Sequence, residues 1–260
     1  MVTVTAQPGR FAGVGQIVSY NWHFYAGVAA LDIVAIVLTV TEILPGPILY
    51  VICVAAVIST FWAVASLLVS HFVYDRSALY QFTWLTPVIR ATPKAWVNIH
   101  AGLDQTSEAL LRIFPVSNPR ILDIYDRSQM SEPSIARARR HPFKSLTAEK
   151  ANPLSLPLRN SECDTVFLIL AAHELRHRSA RLQFFQEVAR SLQPGGRVVL
   201  VEHLRDLNNF IAYGPAALHF FSRYEWLKVC NRAGLFPLSE LSVTPFIRCL
   251  VFTKFGERRL

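Results

Sequence analysis

Two histidines stand where short apolar runs give out. His173, followed at once by Glu174, comes just after the run Thr165–Leu170, and His203 follows Gly196–Glu202. Imidazole titrates near neutrality, so either ring suits a general base that takes a proton from a phenol, a hydroxyl or an activated carbon. Further on, Tyr213 and His219 add polar tips to an apolar stretch holding Phe210, Ile211, Leu218, Phe220 and Phe221. Tyr213 joins the two histidines as a candidate catalytic residue. Plainer readings stand beside these. His173-Glu174 also suits the approach to a helix, His203 also suits a pair with Glu202, and the apolar stretch also suits an ordinary core-facing helix.

The elements that would position these groups begin near Lys94. Apolar runs at Ala95–His100, Arg120–Tyr125, Thr165–Leu170 and Gly196–Glu202 read as strands, with weaker ones at Glu240–Thr244 and Ile247–Thr253. Between them, Thr106–Phe114, Pro133–Arg140, Arg178–Leu192 and Arg223–Ala233 read as helices. Leu182, Phe185, Val188, Ala189 and Leu192 recur at three- and four-residue steps, the spacing of one helix face. Pro194-Gly195-Gly196 is expected to stop that helix. Strands alternating with helices imply a mostly parallel sheet covered on both faces. In such a sheet ligands bind beyond the carboxyl ends of the strands, where His173 and His203 fall.

The stretch Asn152–His203 resembles the second half of a class I S-adenosylmethionine-dependent methyltransferase of the type 11 kind. Leu156-Pro157-Leu158, Cys163-Asp164-Thr165-Val166, His173-Glu174 and Leu192-Gln193-Pro194-Gly195-Gly196 follow the family's order and intervals. The resemblance extends over Ala95 to about Lys254. It implies a doubly wound, mostly parallel seven-stranded α/β sheet with S-adenosyl-L-methionine as cofactor. The family's glycine-rich loop aligns with Asn98-Ile99-His100-Ala101-Gly102-Leu103-Asp104, which keeps only the central Gly102. Asn98 replaces the usual acid, and His100 and Asp104 replace glycines. Asp123 or Asp126, the latter nearer the expected strand end, would hold the ribose. Asn152 would meet the adenine, and Ile169 and Leu170 would pack near the cofactor. Because side chains at His100 and Asp104 can also fill the cofactor's space, a binding or scaffold protein that has kept the fold remains the alternative. The dinucleotide fingerprint G-x-G-x-x-G is absent.

Upstream the chain is of another kind. The runs from Phe24 to Leu44 and from Ile48 to Phe72 are joined by Pro45-Gly46-Pro47, and the second has no Lys, Arg, Asp or Glu. About 20 apolar residues span a bilayer's hydrocarbon core, so the pair reads as a two-helix transmembrane hairpin. Hydrophobic residues make up 52% of the chain and charged residues 17%, against roughly 25% charged in a soluble domain. A membrane segment explains both departures. Arg10 precedes the hairpin and Arg76, Arg90 and Lys94 follow it, so the positive-inside rule puts both ends in the cytoplasm. A prokaryotic inner or plasma membrane is the expected location. Asp32 is then a carboxylate near mid-bilayer, protonated, paired with Ser59, Thr60 or Ser66, or close to a lipid-embedded substrate.

The expected organisation is an N-terminal segment 1–23, the hairpin 24–72, a juxtamembrane linker 73–93 and the methyltransferase-like domain 94–260. Net charge is +8. The basic run Arg137–Lys144 suits an anionic leaflet or a solvated helix end, and no nucleic-acid motif accompanies it. Cys53, Cys163, Cys230 and Cys249 have neither zinc spacing nor a disulfide framework, and no metal is expected. The expected partners are a lipophilic small-molecule acceptor, such as a quinone precursor, an alkylated aromatic or a lipid, together with membrane lipids.

Overall fold

The alternation of strands and helices expected after Lys94 is present in the computed structural model, which describes residues 10–89, 91–102, 104–115, 119–130, 132–139 and 147–255. The chain divides into two units. One holds the residues up to Ser77 together with Leu207–Ala217, and the other holds Ala78–Asp206 with Leu218–Leu260.

The first unit is built on two long helices, α1 (Ala12–Thr41) and α2 (Gly46–Ser70). α1 ends at Glu42 in the left-handed conformation, and Pro45 precedes α2, so the Pro-Gly-Pro break falls between the helices and at the start of the second. The helical run Ala12–Thr41 has a mean hydropathy of 2.0 and the run Gly46–Gln81 one of 2.4, and both are long and apolar enough to cross a membrane. The first starts twelve residues earlier than the apolar pattern suggests, because its opening turns carry mixed residues around a non-helical Asn21. Asp75 ties the base of the hairpin together. Its carboxylate accepts the N–H groups of Gly13 and Val14 at 2.6 and 3.2 Å, two of the donors that a helix start leaves unpaired. Of the partners expected for Asp32, Thr60 is the one found, its hydroxyl 2.7 and 2.9 Å from the two carboxylate oxygens.

A short helix α3 (Leu85–Val88) leads into the second unit. There the order is β1 (Trp96–His100), α4 (Ser107–Ile113), β2 (Arg120–Asp123), α5 (Pro133–Ala138), β3 (Glu149–Lys150), β4 (Cys163–Ile169), α6 (Arg178–Ser191), β5 (Leu192–His203), α8 (Arg223–Arg232), β6 (Leu235–Thr244) and β7 (Ile247–Lys254). Helix α7 (Leu207–Tyr213), between β5 and α8, belongs to the hairpin unit. The sheet runs β3-β2-β1-β4-β5-β7-β6. β1 to β5 are parallel, and β7 is antiparallel to both β5 and β6. The chain winds outward from β1 to β3 and then returns to the other side of β1 as β4, so the topological switch lies between β1 and β4.

The central strands are continuous apolar runs because both of their faces are covered. Val97, Leu122, Val166, Leu168, Val198 and Leu200 share one core with Phe184, Phe185 and Val188 of α6 and with Trp226 of α8. Each phenylalanine removed from water there contributes about 2–3 kcal/mol. The expected apolar face of α6 is the one that packs, with Leu182 at its margin. Pro194-Gly195-Gly196 lies inside the first part of β5 rather than before it, where the register against β4 shifts between Cys163 and Thr165.

Candidate functional site

The parallel strands deliver His100, Asp123, Ile169 and His203 to one edge of the sheet. Around β1 and β2, the replaced glycines of the loop have taken on local work. Asp104 Oδ1 accepts the N–H groups of Thr106 and Ser107 at 3.2 and 2.9 Å, which places an acid at the start of α4. Asn98 is buried within β1, and its Nδ2 donates to the hydroxyls of Thr106 and Ser107 at 2.8 and 2.7 Å. It clamps the helix start to the strand. His100 Nδ1 accepts the Gly102 N–H at 3.1 Å, so the proton of a neutral ring is on Nε2. Burial lowers the His100 pKa; Asp104 and Asp123 oppose that, and Arg139 adds to it. Gly102 has φ +107°, a conformation that favours glycine.

Three buried polar atoms here have no hydrogen-bond partner among the described residues: Asn98 Oδ1, His100 Nε2 and Asp104 Oδ2. Such atoms cost free energy unless something satisfies them. At the end of β2, Asp123 faces His100 across the ladder. Its Oδ1 accepts the Tyr125 N–H at 3.0 Å, and its Oδ2 accepts from Arg139 Nη1 at 2.9 Å. Asp126 lies beyond the strand, where its carboxylate accepts both the N–H and the hydroxyl of Ser128 and closes its own turn. Those bonds hold it below the usual carboxylate range. Asn152 likewise serves a local turn, its Oδ1 accepting the Leu154 N–H at 2.8 Å. Ile169 ends β4 nearly buried, and Leu170 follows with φ +52°. A branched side chain held there is a strained position of the kind that clusters at functional sites.

The edge formed by β4 and β5 is different, because its charged groups are paired with one another, although Glu174 Oε2 has no hydrogen-bond partner among the described residues. Glu202, buried at the end of β5, accepts the N–H groups of Ala172 and His173 at 2.9 and 3.2 Å and the His173 ring at 2.7 Å. Glu174 lies 3.4 Å from the other ring nitrogen. Burial alone would lower the His173 pKa, but the two carboxylates outweigh it and hold the imidazolium well above the usual range. His173 is therefore not the free base expected from its position, but a charged donor locked to Glu202. His219 stands edge-on to it at 5.8 Å. Its pKa is pushed down to about 4 by burial, helped by the positive charges of His173 and Arg176. Arg176 donates to the His219 carbonyl at 2.6 Å and lies over the Phe221 ring at 4.6 Å.

His203 pairs with the backbone rather than with Glu202. Its Nδ1 is 3.0 Å from the Phe246 carbonyl, and its ring stacks on Phe220 at 4.9 Å. Tyr213 belongs to the hairpin unit, where burial raises its pKa and the Ser70 hydroxyl opposes the rise. Of the expected site residues, the structure thus gathers His100, Gly102, Asp104 and Asp123 at one part of the edge and His173 and His203 at the other. Glu202 and Arg139 were missed. Their partners are 29 and 16 residues away, and only the folded chain brings them together.

Residues 121–200 match the methyltransferase domain family. Over that span the chain is similar to class I S-adenosylmethionine-dependent methyltransferase domains. Solved structures of the same fold include the Trm112 methyltransferase-activator complex of Haloferax volcanii, with 16% identity, a TM-score of 0.52 and coverage of 75% of this chain and 98% of that one. The PH0226 protein of Pyrococcus horikoshii matches at 13% identity and TM-score 0.51, over 68% of this chain and 89% of its own. The [4+2]-cyclase SpnF matches at 13% and 0.51, over 70% and 83%. No curated protein matches the chain.

The polar atoms at β1 and β2 fit the cofactor of the methyltransferase domain. S-adenosylmethionine carries an ammonium, a carboxylate and a ribose diol. Asp104 Oδ2 offers an acceptor to an ammonium, His100 Nε2 a donor to a carboxylate, and Asp123 a carboxylate to a diol. The replaced loop residues thus supply polar atoms where the family pattern has glycine.

Proposed function

We propose that this chain is a membrane-anchored methyltransferase acting on a small lipophilic acceptor, a quinone precursor, alkylated aromatic or lipid. One observation carries the reading: the segment that follows the catalytic strand β5 is part of the hydrophobic hairpin unit. Gly214 backs directly onto the Trp62 indole of α2, where an added Cβ would lie 2.5 Å from the ring, and Phe210 meets the same ring edge-on at 6.0 Å. Leu207, Phe210 and Ile211 of α7 expose apolar side chains beside it. The helical run Gly46–Gln81 has 36 residues. Its α-helical part, Gly46–Ser70, has 25 residues and at about 1.5 Å each reaches about 38 Å, beyond the roughly 30 Å of a hydrocarbon core. Trp62, which holds α7, lies eight residues before the end of α2. A lipophilic acceptor would meet the exposed apolar side chains of the segment that follows β5 in the sequence.

The cofactor supplies a methyl group on a sulfonium, and the protein aligns the acceptor and excludes water. His203 would take the acceptor's proton. Its Nδ1–H donates to the Phe246 carbonyl, which sets the tautomer of the neutral ring, and Phe220 stacks on the ring. The His173 imidazolium, held by Glu202, would position the β4 end rather than accept a proton. A fold kept as a silent scaffold is the second reading, favoured by Arg139 lying across the cofactor loop.

The test is to incubate the full chain, in vesicles made from total membrane lipid, with S-adenosylmethionine labelled in its methyl group. Label in the solvent-extractable, non-protein fraction supports the reading. Label confined to protein or to water-soluble products overturns the lipophilic acceptor, and absence of transfer with no cofactor binding favours the scaffold. The anchor has its own check, since the chain should stay in the membrane pellet after alkaline carbonate washing.

A further inference from the structure

We infer that Arg139 is a built-in competitor for the cofactor, a latch that occupies the cofactor's place on Asp123 and must swing away before the cofactor binds. The inference rests on the methyltransferase reading above.

Three contacts hold the latch. The guanidinium donates to Asp123 Oδ2 at 2.9 Å. It lies over the Tyr125 ring, 4.3 Å from the centroid. Its arm is laid on Gly102, with Cδ and Cγ 2.9 and 3.0 Å from where a Cβ would stand and Nη1 closer still. Gly102, with φ +107°, is the one glycine kept from the family loop, and its bare backbone face is the surface a ligand would approach. Here the face is covered by the chain's own side chain.

The charges point the same way. The Asp123 carboxylate is the acceptor that a ribose diol would use, and the Arg139 guanidinium now uses it. Meanwhile His100 Nε2 and Asp104 Oδ2, close enough to share this electrostatic environment, stay unsatisfied. Arg139 thus covers the loop without filling its polar needs, as expected of a group that gives way to a better one. It is also well placed to move. It follows the last turn of α5, and its side chain is 32% exposed, so the guanidinium can return to water at little cost. A ligand that needs the latch open loses apparent affinity by the fraction of molecules already open.

The test is calorimetric titration of the detergent-solubilised full chain with S-adenosylhomocysteine, comparing wild type, Arg139→Ala and Arg139→Gln. Circular dichroism of each sample confirms the fold. If the latch is closed in about nine molecules of ten, its removal should tighten binding about tenfold. Arg139→Gln, which keeps the arm but not the charge, should fall between the two. Unchanged or weaker binding by Arg139→Ala, with wild type binding, would overturn the latch and leave the methyltransferase reading intact; weaker binding would make Arg139 a cofactor ligand. Binding by neither, in folded samples, overturns both.

Discussion

The edge at β1 and β2 and the edge at β4 and β5 are built from similar residue types, yet they are solved in opposite ways. At β4 and β5 most of the charge is paired: Glu202 takes two backbone N–H groups and the His173 ring, and Glu174 flanks the same ring through Oε1, while its Oε2 has no hydrogen-bond partner among the described residues. At β1 and β2, by contrast, buried donor and acceptor atoms on Asn98, His100 and Asp104 are left over, and a partly exposed arginine lies across them. A satisfied network is finished when the chain folds, whereas an unsatisfied one is finished by a ligand. On the function proposed above, the part at β4 and β5 holds the fold rigid and the part at β1 and β2 is the one that the cofactor would complete.

The comparison breaks most clearly at Glu202. Glu202→Ala removes the partner of a charged His173 and should cost about 3–5 kcal/mol, read from denaturant melts. Asp123→Ala, at a more exposed pair, should cost about 1 kcal/mol or less by the same measurement. Equal costs would show that the two edges do not differ as described. His203→Ala should lower turnover about a hundredfold or more, the usual worth of a positioned base, while cofactor affinity by calorimetry stays near wild type. Equal losses in both would assign His203 to packing. Gly102→Val forces a branched side chain to φ +107° and into Arg139. It should abolish binding of S-adenosylhomocysteine, with a stability loss of about 1–3 kcal/mol.

The His173 pair also has a pH signature. Its folded pKa lies above the ordinary 6.5, so its contribution is fully present below about pH 6.5 and is lost as pH rises through the folded value. Glu174 works in the reverse sense. Although burial raises its pKa, hydrogen bonding to His173 wins and holds it below 4.5, so its contribution is present above about 4.5 and is lost as pH falls through the lowered value. Melting temperature against pH for His173→Gln should lose the alkaline decline. The smallest effect belongs to Asp126→Asn, expected to shift stability by less than about 0.5 kcal/mol and binding hardly at all, because that carboxylate serves only its own turn.

Legibility in the sequence followed the range of the interactions. α6 was readable because its apolar face repeats within the helix, and the central strands because burial on both faces makes them continuous runs. The two-residue β3 carries no period to read. Asp123 and Asp126 stay alternatives in the sequence because the apolar run continues to Tyr125, whereas the ladder stops at Asp123, whose carboxylate takes the Tyr125 N–H. His173 looked like a base because Glu202, the residue that keeps it protonated, lies a strand away. That α7 joins the hairpin depends on Trp62 meeting Phe210 and Gly214, about 150 residues apart in the chain.

The bond from Thr60 to Asp32 bears on how the hairpin is made. In a hairpin that spans the bilayer, α1 emerging alone would carry an uncompensated carboxylate, at about 2.5–3.5 kcal/mol on insertion scales. Its hydroxyl partner is on α2, 28 residues later. Biogenesis would then favour delayed, joint release of the two helices into lipid, with the first held back until the second has been synthesised.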